Sequence, residues 1–296
     1  MKLLHARRKV EIEAAIARVL DHQAFILGPE VAALEKELVA WIGEPGLVGV
    51  GTSSGTAALV LAMRLLDLGP EDEVIVPSYS FQSSASAVAM VGARVVFVDV
   101  EDDSLNLDPS LLPALLTPRT RAVVAVHLFG RAADVPAIRK VLDDAGRQDV
   151  KIVEDAAQGI GARLDGKSVC GLGDLATVSF FPAKNLGAYG DGGMTFVRSE
   201  QAAARLRMIR QHGFSVKYRS EELGYNARLD GIQGAIVRAK LPDLHAVGNE
   251  RRANADRYRA LFAAASLPVG FRLPPGDGPD GRFHHVYNQF NLRVPD

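Results

Sequence analysis

The sequence predicts an α/β protein with a mostly parallel central sheet flanked by helices, followed by a small C-terminal α+β domain. Three observations lead there. Short apolar runs alternate with stretches whose apolar residues recur at helical spacing, the pattern of strand–helix–strand units. Several of the short runs are apolar throughout, as strands covered on both faces must be. At 296 residues the chain exceeds an average domain, so one large domain plus a smaller appendage is expected.

The elements follow in chain order. Ile12, Ala15, Ile16 and Val19 recur at helical spacing, and a second such pattern covers 31–41 after the Gly28-Pro29 break, so two helices open the chain. Strands are expected at 73–76, 94–99, 122–127, 151–154, 176–180 and 194–197. Helical patterns cover 55–66, 82–91, 135–145 and 201–212. From Gly231 to about Phe262 one long helix is expected, interrupted or kinked near Pro242. A Pro- and Gly-rich stretch, 267–281, then leads into an alternating run, 285–294, that reads as a strand. The division that results is a large domain over 1–235 and a smaller unit over 236–296, with no internal repeat.

Composition narrows the class of function. Lys and Arg total 34 against 35 Asp and Glu, a formal charge of -1, so no global field draws in nucleic acid or an anionic membrane. Any phosphate affinity must be local. The nearest approach to a membrane span, 85–100, is interrupted by Gly92, Arg94 and Asp99. Residues 1–8 carry too little apolar run for a signal peptide, and the single cysteine, Cys170, has no intramolecular partner, so a reducing cytoplasm is expected. No metal site is read.

Three features carry chemistry. In the loop Gly51-Thr52-Ser53-Ser54-Gly55-Thr56, small residues let backbone N–H groups approach an anion, and the helix that follows adds its positive end. A plain helix cap competes with that reading. Ile152-Val153-Glu154-Asp155-Ala156-Ala157-Gln158 is an apolar strand ending in a carboxylate. Ligands of open α/β sheets sit beyond the carboxyl ends of the strands, so Asp155 can face a bound cofactor and hold a pyridinium nitrogen, or it can cap a helix. The third feature, Ser179-Phe180-Phe181-Pro182-Ala183-Lys184-Asn185, places a lysine between a buried strand and a glycine-dense turn. Partial burial frees such an amine for covalent chemistry, where a lone surface lysine is only solvated. Taken together, a phosphate cradle, a ring-nitrogen carboxylate and a nucleophilic lysine, in that chain order, are what pyridoxal phosphate requires.

That order, with Phe25-Ile26-Leu27-Gly28-Pro29, Ser54-Gly55-Thr56, Asp72-Glu73-Val74-Ile75-Val76-Pro77, Lys184-Asn185-Leu186-Gly187, Gly224-Tyr225-Asn226-Ala227-Arg228-Leu229-Asp230 and His285-Val286-Tyr287, resembles the DegT/StrS aminotransferases of fold-type I architecture. The resemblance covers nearly the whole chain. It implies transfer of an amino group from an amino acid, L-glutamate expected, to a keto sugar carried on a nucleotide. It makes Lys184 the Schiff-base lysine and Asp155 the partner of the pyridine nitrogen. Gln158 is implied at the ring oxygen, Ser54, Gly55, Thr56 and Ser179 at the phosphate, and Phe81 over the ring face. Asn226 is implied to reach the phosphate bound by a neighbouring subunit, which makes a homodimer with shared active sites the expected assembly. Tyr79, His212, Lys217, Tyr218 and Arg228 fall where the substrate is expected, the basic cluster facing the pyrophosphate. The His212-Gly213…Lys217-Tyr218 pattern favours a 3-keto over a 4-keto sugar.

Alternatives within the resemblance are amination of a cyclitol ketone and formation of an aminohydroxybenzoate. A non-catalytic regulatory homologue is the alternative outside it, and intact Lys184, Asp155 and Gln158 oppose that reading. Family members continue past the His-x-Tyr segment, whereas this sequence ends at Arg293-Val294-Pro295-Asp296. The small domain therefore reads as incomplete. An exposed apolar edge carrying Val286, Phe290 and Leu292 is expected at 285–294, with low solubility as its consequence.

Overall fold

The structure, a computed structural model, describes residues 2–216, 218–265, 269–278 and 280–295. Its N-terminal helices are α1 (Lys2–Arg7), α2 (Lys9–His22) and α3 (Gly28–Ile42). The apolar stripe of α2 is buried at Ile12, Ala15 and Val19, and Ala15 and Val19 pack on Ala235. Pro29 opens α3, and Gly43 closes it with a φ of 77° that a side chain would strain.

The central sheet has seven strands: β1 (Val48–Thr52), β2 (Glu73–Pro77), β3 (Arg94–Val98), β4 (Thr120–Val126), β5 (Lys151–Asp155), β8 (Leu175–Ser179) and β9 (Gly193–Val197). Between β5 and β8 runs a small hairpin, β6 (Arg163–Leu164) and β7 (Lys167–Ser168). The sheet order is β1-β9-β8-β5-β4-β2-β3, and β3, β2, β4, β5 and β8 are mutually parallel. β9 alone runs against the direction of the rest, antiparallel to both β1 and β8, because the turn after β8 brings the chain back. Helices α4 (Gly55–Leu65), α5 (Ser83–Met90), α6 (Val135–Asp144) and α7 (Glu200–Ile209) cover the sheet. Every residue of β2 and β8 is buried, in keeping with strands covered on both faces. The six strands expected within the large domain form; β1 was not expected.

After α7 the chain makes a hairpin, β10 (Phe214–Val216) and β11 (Arg219–Ser220), over the stretch where the basic cluster was expected. The expected long helix is split at Pro242 into α8 (Gly231–Lys240) and α9 (Leu244–Ala264), joined by a tight helical turn. Returning along α9, the described residues of the tail contribute β12 (Phe283–His284), which pairs with β6, and a single bridge between Arg272 and Arg293.

The expected strand at 285–294 does not form. Tyr287 adopts a φ of 44°, which no strand tolerates, and side chains rather than a neighbouring strand take up the carbonyls. Arg252 donates to His285 O at 3.0 Å, and Arg251 donates to both Tyr287 O and Asn288 O at 3.1 Å. Nor is there the expected open apolar edge. Val286 is buried in the core cluster that holds Ile160 and Leu186, and Phe290 packs on Tyr258 with ring centroids 5.2 Å apart.

Candidate active site

Most of the expected cofactor positions gather at or beyond the strand ends, Asp155 and Gln158 with β5 and Ser179 and Lys184 with β8, where an open α/β sheet presents its binding crevice. Asp155 ends β5, buried. Its Oδ2 accepts from Ser84 Oγ at 2.8 Å and its Oδ1 from Ala157 N–H at 3.1 Å. No helix begins after β5, so the capping alternative for Asp155 is excluded. One residue back along α5, Ser83 Oγ pairs with Thr56 Oγ1 at 2.7 Å, tying the start of α5 to the start of α4.

Thr56 belongs to the cradle that the sequence singled out. Thr52 closes β1, and Ser54 caps α4 by accepting from Ala57 N–H at 3.0 Å, so the cap reading holds for the Ser54 hydroxyl. Crowding fixes the rest of the loop. A Cβ on Gly55 would lie 2.6 Å from Ser179 Cβ, and one on Gly193 would lie 2.5 Å from Ser54 O. Ser179 Oγ accepts from Phe181 N–H at 3.2 Å. The base of the cradle is held by a buried pair: Arg210 donates to Glu35 Oε1 at 2.8 Å and to Gly51 O at 2.7 Å, while Gly51 N–H donates to the same Glu35 oxygen at 2.8 Å.

Lys184 sits in the turn between β8 and β9, half-buried, and among the described residues its amine has no hydrogen bond or ion pair. Burial holds that amine below the ordinary lysine range, while the Asp155 carboxylate pulls the other way. Gln158 Oε1 accepts from Phe129 N–H at 2.7 Å, which leaves the amide NH₂ as the end available to a ligand. Phe129 holds a left-handed φ of 58° and meets Tyr79 edge to face at 6.4 Å. Phe81, at the entry to α5, is 68 % exposed, so it is not the core residue that its place after a strand suggested. Tyr79 is likewise 52 % exposed.

A second set approaches from α7 and the segment before α8. Thr52 and Arg228 are bridged, Ser53 N–H donates to Ala227 O at 3.0 Å, and Gln211 and Asn226 are bridged. Arg228 Nε is buried with no partner among the described residues, a donor left for something else to satisfy. Asn226, His212 and Tyr218 are exposed, and His212 lies 5.5 Å from the ring of Phe214 in the β10–β11 hairpin. Lys217 falls outside the described residues.

Sequence reasoning missed Ser83 and Ser84, the serine pair just inside α5 that reaches Thr56 and Asp155. It also missed the partnership beneath the site. His127 accepts from Ala133 N–H at 3.0 Å through Nδ1 and donates through Nε2 to Glu154 at 2.8 Å, both fully buried. The position of His127 directly after a buried strand was the available signal.

These residues suit a phosphorylated pyridine aldehyde on observations of the molecule itself. The cradle has no room for side chains at Gly55 and Gly193, Arg228 Nε is an unmet donor among the described residues, and a half-buried amine lies within electrostatic reach of a buried carboxylate. A mainly parallel sheet flanked in this way is the fold-type I architecture, that of pyridoxal-phosphate-dependent aminotransferases.

Comparison with known proteins gives the family. The chain belongs to the DegT/DnrJ/EryC1/StrS aminotransferase family, whose pattern matches residues 7–296. It is similar to the UDP-N-acetyl-3-dehydro-alpha-D-glucosamine 3-aminotransferase of Acidithiobacillus ferrooxidans, 43 % identical over 284 residues, covering 96 % of this chain and 74 % of that protein. The dTDP-3-amino-3,4,6-trideoxy-alpha-D-glucose transaminase of Streptomyces venezuelae is 43 % identical over 274 residues, 93 % of this chain and 70 % of that one. Among solved structures, S. venezuelae DesV in complex with a ketimine intermediate superposes with a TM-score of 0.92 at 41 % identity, covering 99 % of this chain and 76 % of DesV.

Proposed function

We propose that this protein transfers an amino group from an amino acid, L-glutamate in the simplest case, to the C3 ketone of a nucleotide-linked sugar. One observation carries the reading: a half-buried lysine with no fixed partner and a buried carboxylate converge on the same strand ends, beside a loop too crowded for side chains. Relatives named for 3-amino sugars support the carbon position and the nucleotide carrier. Bound there, pyridoxal phosphate supplies an aldehyde that exchanges amino groups and a ring that accepts electron density.

The chain's own residues do the rest. Gly55, Thr56 and Ser179, with the start of α4, would hold the phosphate, where backbone N–H groups and the helix end favour an anion. Asp155 would keep the ring nitrogen protonated, and Ser84 fixes the carboxylate in that direction. Gln158 would donate its NH₂ to the ring oxygen, because its carbonyl is committed to Phe129. Phe81 would stack on the ring face. Lys184 would hold the cofactor covalently between turnovers, and its Nζ would carry the proton between the two carbons that exchange it. Desolvation suits the amine to that task by favouring its neutral form.

Tyr79, Arg228, His212, Lys217 and Tyr218 are assigned to the substrate, the last three to its pyrophosphate. The exposed Asn226 would complete a partner subunit's phosphate pocket, which makes a homodimer with shared sites the working assembly. Among the described residues no helix is long and apolar enough to cross a membrane, and the lone Cys170 is buried, in keeping with a cytoplasmic enzyme. The test is a panel of UDP- and dTDP-linked 3-keto and 4-keto sugars incubated with L-glutamate, reading 2-oxoglutarate. Turnover confined to the 3-keto members is expected. Turnover of 4-keto members alone would overturn the carbon assignment, and none at all by cofactor-loaded protein would overturn the function.

A further inference from the structure

The turn that carries Lys184 closes mainly on itself. Ala188 N–H donates to Phe180 O at 2.7 Å, Lys184 N–H donates to Phe181 O at 2.8 Å, and a Cβ on Gly187 would stand 2.5 Å from Pro182 O. Such closure fixes the shape of the turn. Its far half is anchored by Leu186 and Ala188 in the core and by Tyr189 N–H donating to Gln233 Oε1 at 2.9 Å, and the tilt of the half that carries the lysine is left to further contacts. Two side chains from the last third of the chain grip its middle. Asn288 Nδ2 donates to Asn185 Oδ1 at 3.0 Å, one residue from the lysine, and Lys240 Nζ donates to Gly187 O.

Neither grip is required by the fold around it. Lys240 ends α8, where a solvated side chain would serve the helix equally well. Instead it is half-buried over the Tyr189 ring, 5.3 Å from the centroid, with no carboxylate partner among the described residues. Asn288 belongs to a tail already fastened by its backbone, through Val286 N–H to Gly130 O at 2.9 Å and Gln289 N–H to Phe129 O at 3.3 Å. Its side chain adds a link from that anchored tail to the lysine turn. The same tail braces Phe129, whose N–H holds Gln158.

We propose that Asn288 and Lys240 are positioning residues for the reactive lysine, holding the turn at one tilt so that the Lys184 amine faces Asp155. The inference rests on the reading of Lys184 as that lysine. A long flexible side chain with no fixed partner of its own can be aimed only by its backbone, and a misplacement of about 1 Å costs on the order of a hundredfold in rate. Neither residue touches reacting atoms.

The experiment uses Asn288→Ala, Asn185→Ala, their double variant, Lys240→Met and Lys240→Arg. Acetylation of Lys184 by acetic anhydride is followed against pH by peptide mass spectrometry on cofactor-free protein, and kcat and KM are measured on the loaded enzyme. In the parent, Lys184 reacts at lower pH than surface lysines. In Asn288→Ala and Lys240→Met its profile moves up toward theirs as water enters, and kcat falls about tenfold with the donor KM within about twofold. The double variant is no worse than either single, because both remove one hydrogen bond, and Lys240→Arg keeps the parent profile. Should Asn288→Ala not fold, Asn185→Ala breaks the same contact from the other end. Unmoved acetylation profiles with unchanged kcat in both single grips overturn the proposal. Full turnover by Lys184→Ala overturns instead the reading beneath it, while the acetylation profiles still report on the turn.

Discussion

Glu154 and Asp155 are neighbours on β5, both buried, yet the protein uses them in opposite ways. Facing one side of the sheet, Glu154 is saturated. Its two oxygens accept from His127 Nε2 and from the backbone N–H groups of Cys170, Leu172 and Gly173, all between 2.7 and 3.0 Å. Asp155 faces the other side with Ser84 and Ala157 as donors and an unpaired lysine within electrostatic reach. The saturated carboxylate ties β4, β5 and the approach to β8 into one rigid edge. The less occupied one has capacity left for chemistry. A buried carboxylate is thus read from its remaining acceptor capacity, not from burial.

Breaking the open side should leave the fold alone. Lys184→Ala is expected to abolish turnover with an unchanged circular dichroism spectrum and melting temperature, since the amine satisfies no partner among the described residues. Retained transamination in that variant would refute its role. Next in size, Asp155→Asn should keep cofactor binding and lose roughly a hundredfold or more in kcat, because an amide stabilises no protonated ring nitrogen. A variant as fast as the parent would make Asp155 structural after all.

The saturated side should answer in stability instead. Glu154→Gln turns an acceptor into a donor against N–H groups already pointing inward, and about 2–4 kcal/mol of stability should be lost. Chemical denaturation measures it, and a loss of turnover with full stability would reverse the contrast drawn between the two carboxylates. A smaller, pH-dependent effect is expected in the tail. Burial first, then the nearby Arg131, pushes the His285 imidazole down to about 3, so between that pH and the ordinary histidine range the unfolded chain binds a proton that the native one refuses. Stability contributed by neutral His285 is therefore complete above that window and declines as pH falls through it. The fall in melting temperature from pH 7 to pH 5 should shrink in His285→Gln, and an equal fall would place the titration elsewhere.

Much of this was legible in the sequence because the sheet is simple. Strands buried on both faces write themselves as unbroken apolar runs, and the two residues proposed to carry the chemistry, Asp155 and Lys184, end or follow such runs. Where glycine interrupts the run the signal fails. β1 is Val-Gly-Val-Gly-Thr, and its glycines answer to tertiary contact, since a Cβ on Gly49 would lie 2.7 Å from Met194 Sδ. The tail failed in the opposite sense. Its alternation looked like a strand, but Arg251 and Arg252, more than thirty residues earlier, take the carbonyls a ladder would have used. Ser84 and Lys240 were unreadable for the same reason: each owes its role to a partner far along the chain, and His127 offered only its place after a buried strand. Lys240 at a helix end looks in sequence like any basic residue favoured there by the helix dipole.

Whether Lys184 is the reactive lysine of a pyridoxal-phosphate aminotransferase can be read by chemical trapping. Purified protein loaded with pyridoxal phosphate is reduced with sodium borohydride, digested and mapped by mass spectrometry. The account predicts loss of the absorption band near the visible edge and one modified peptide, carrying the reduced cofactor on Lys184. A cofactor trapped on a different lysine, or an active loaded enzyme from which nothing can be trapped, would contradict it.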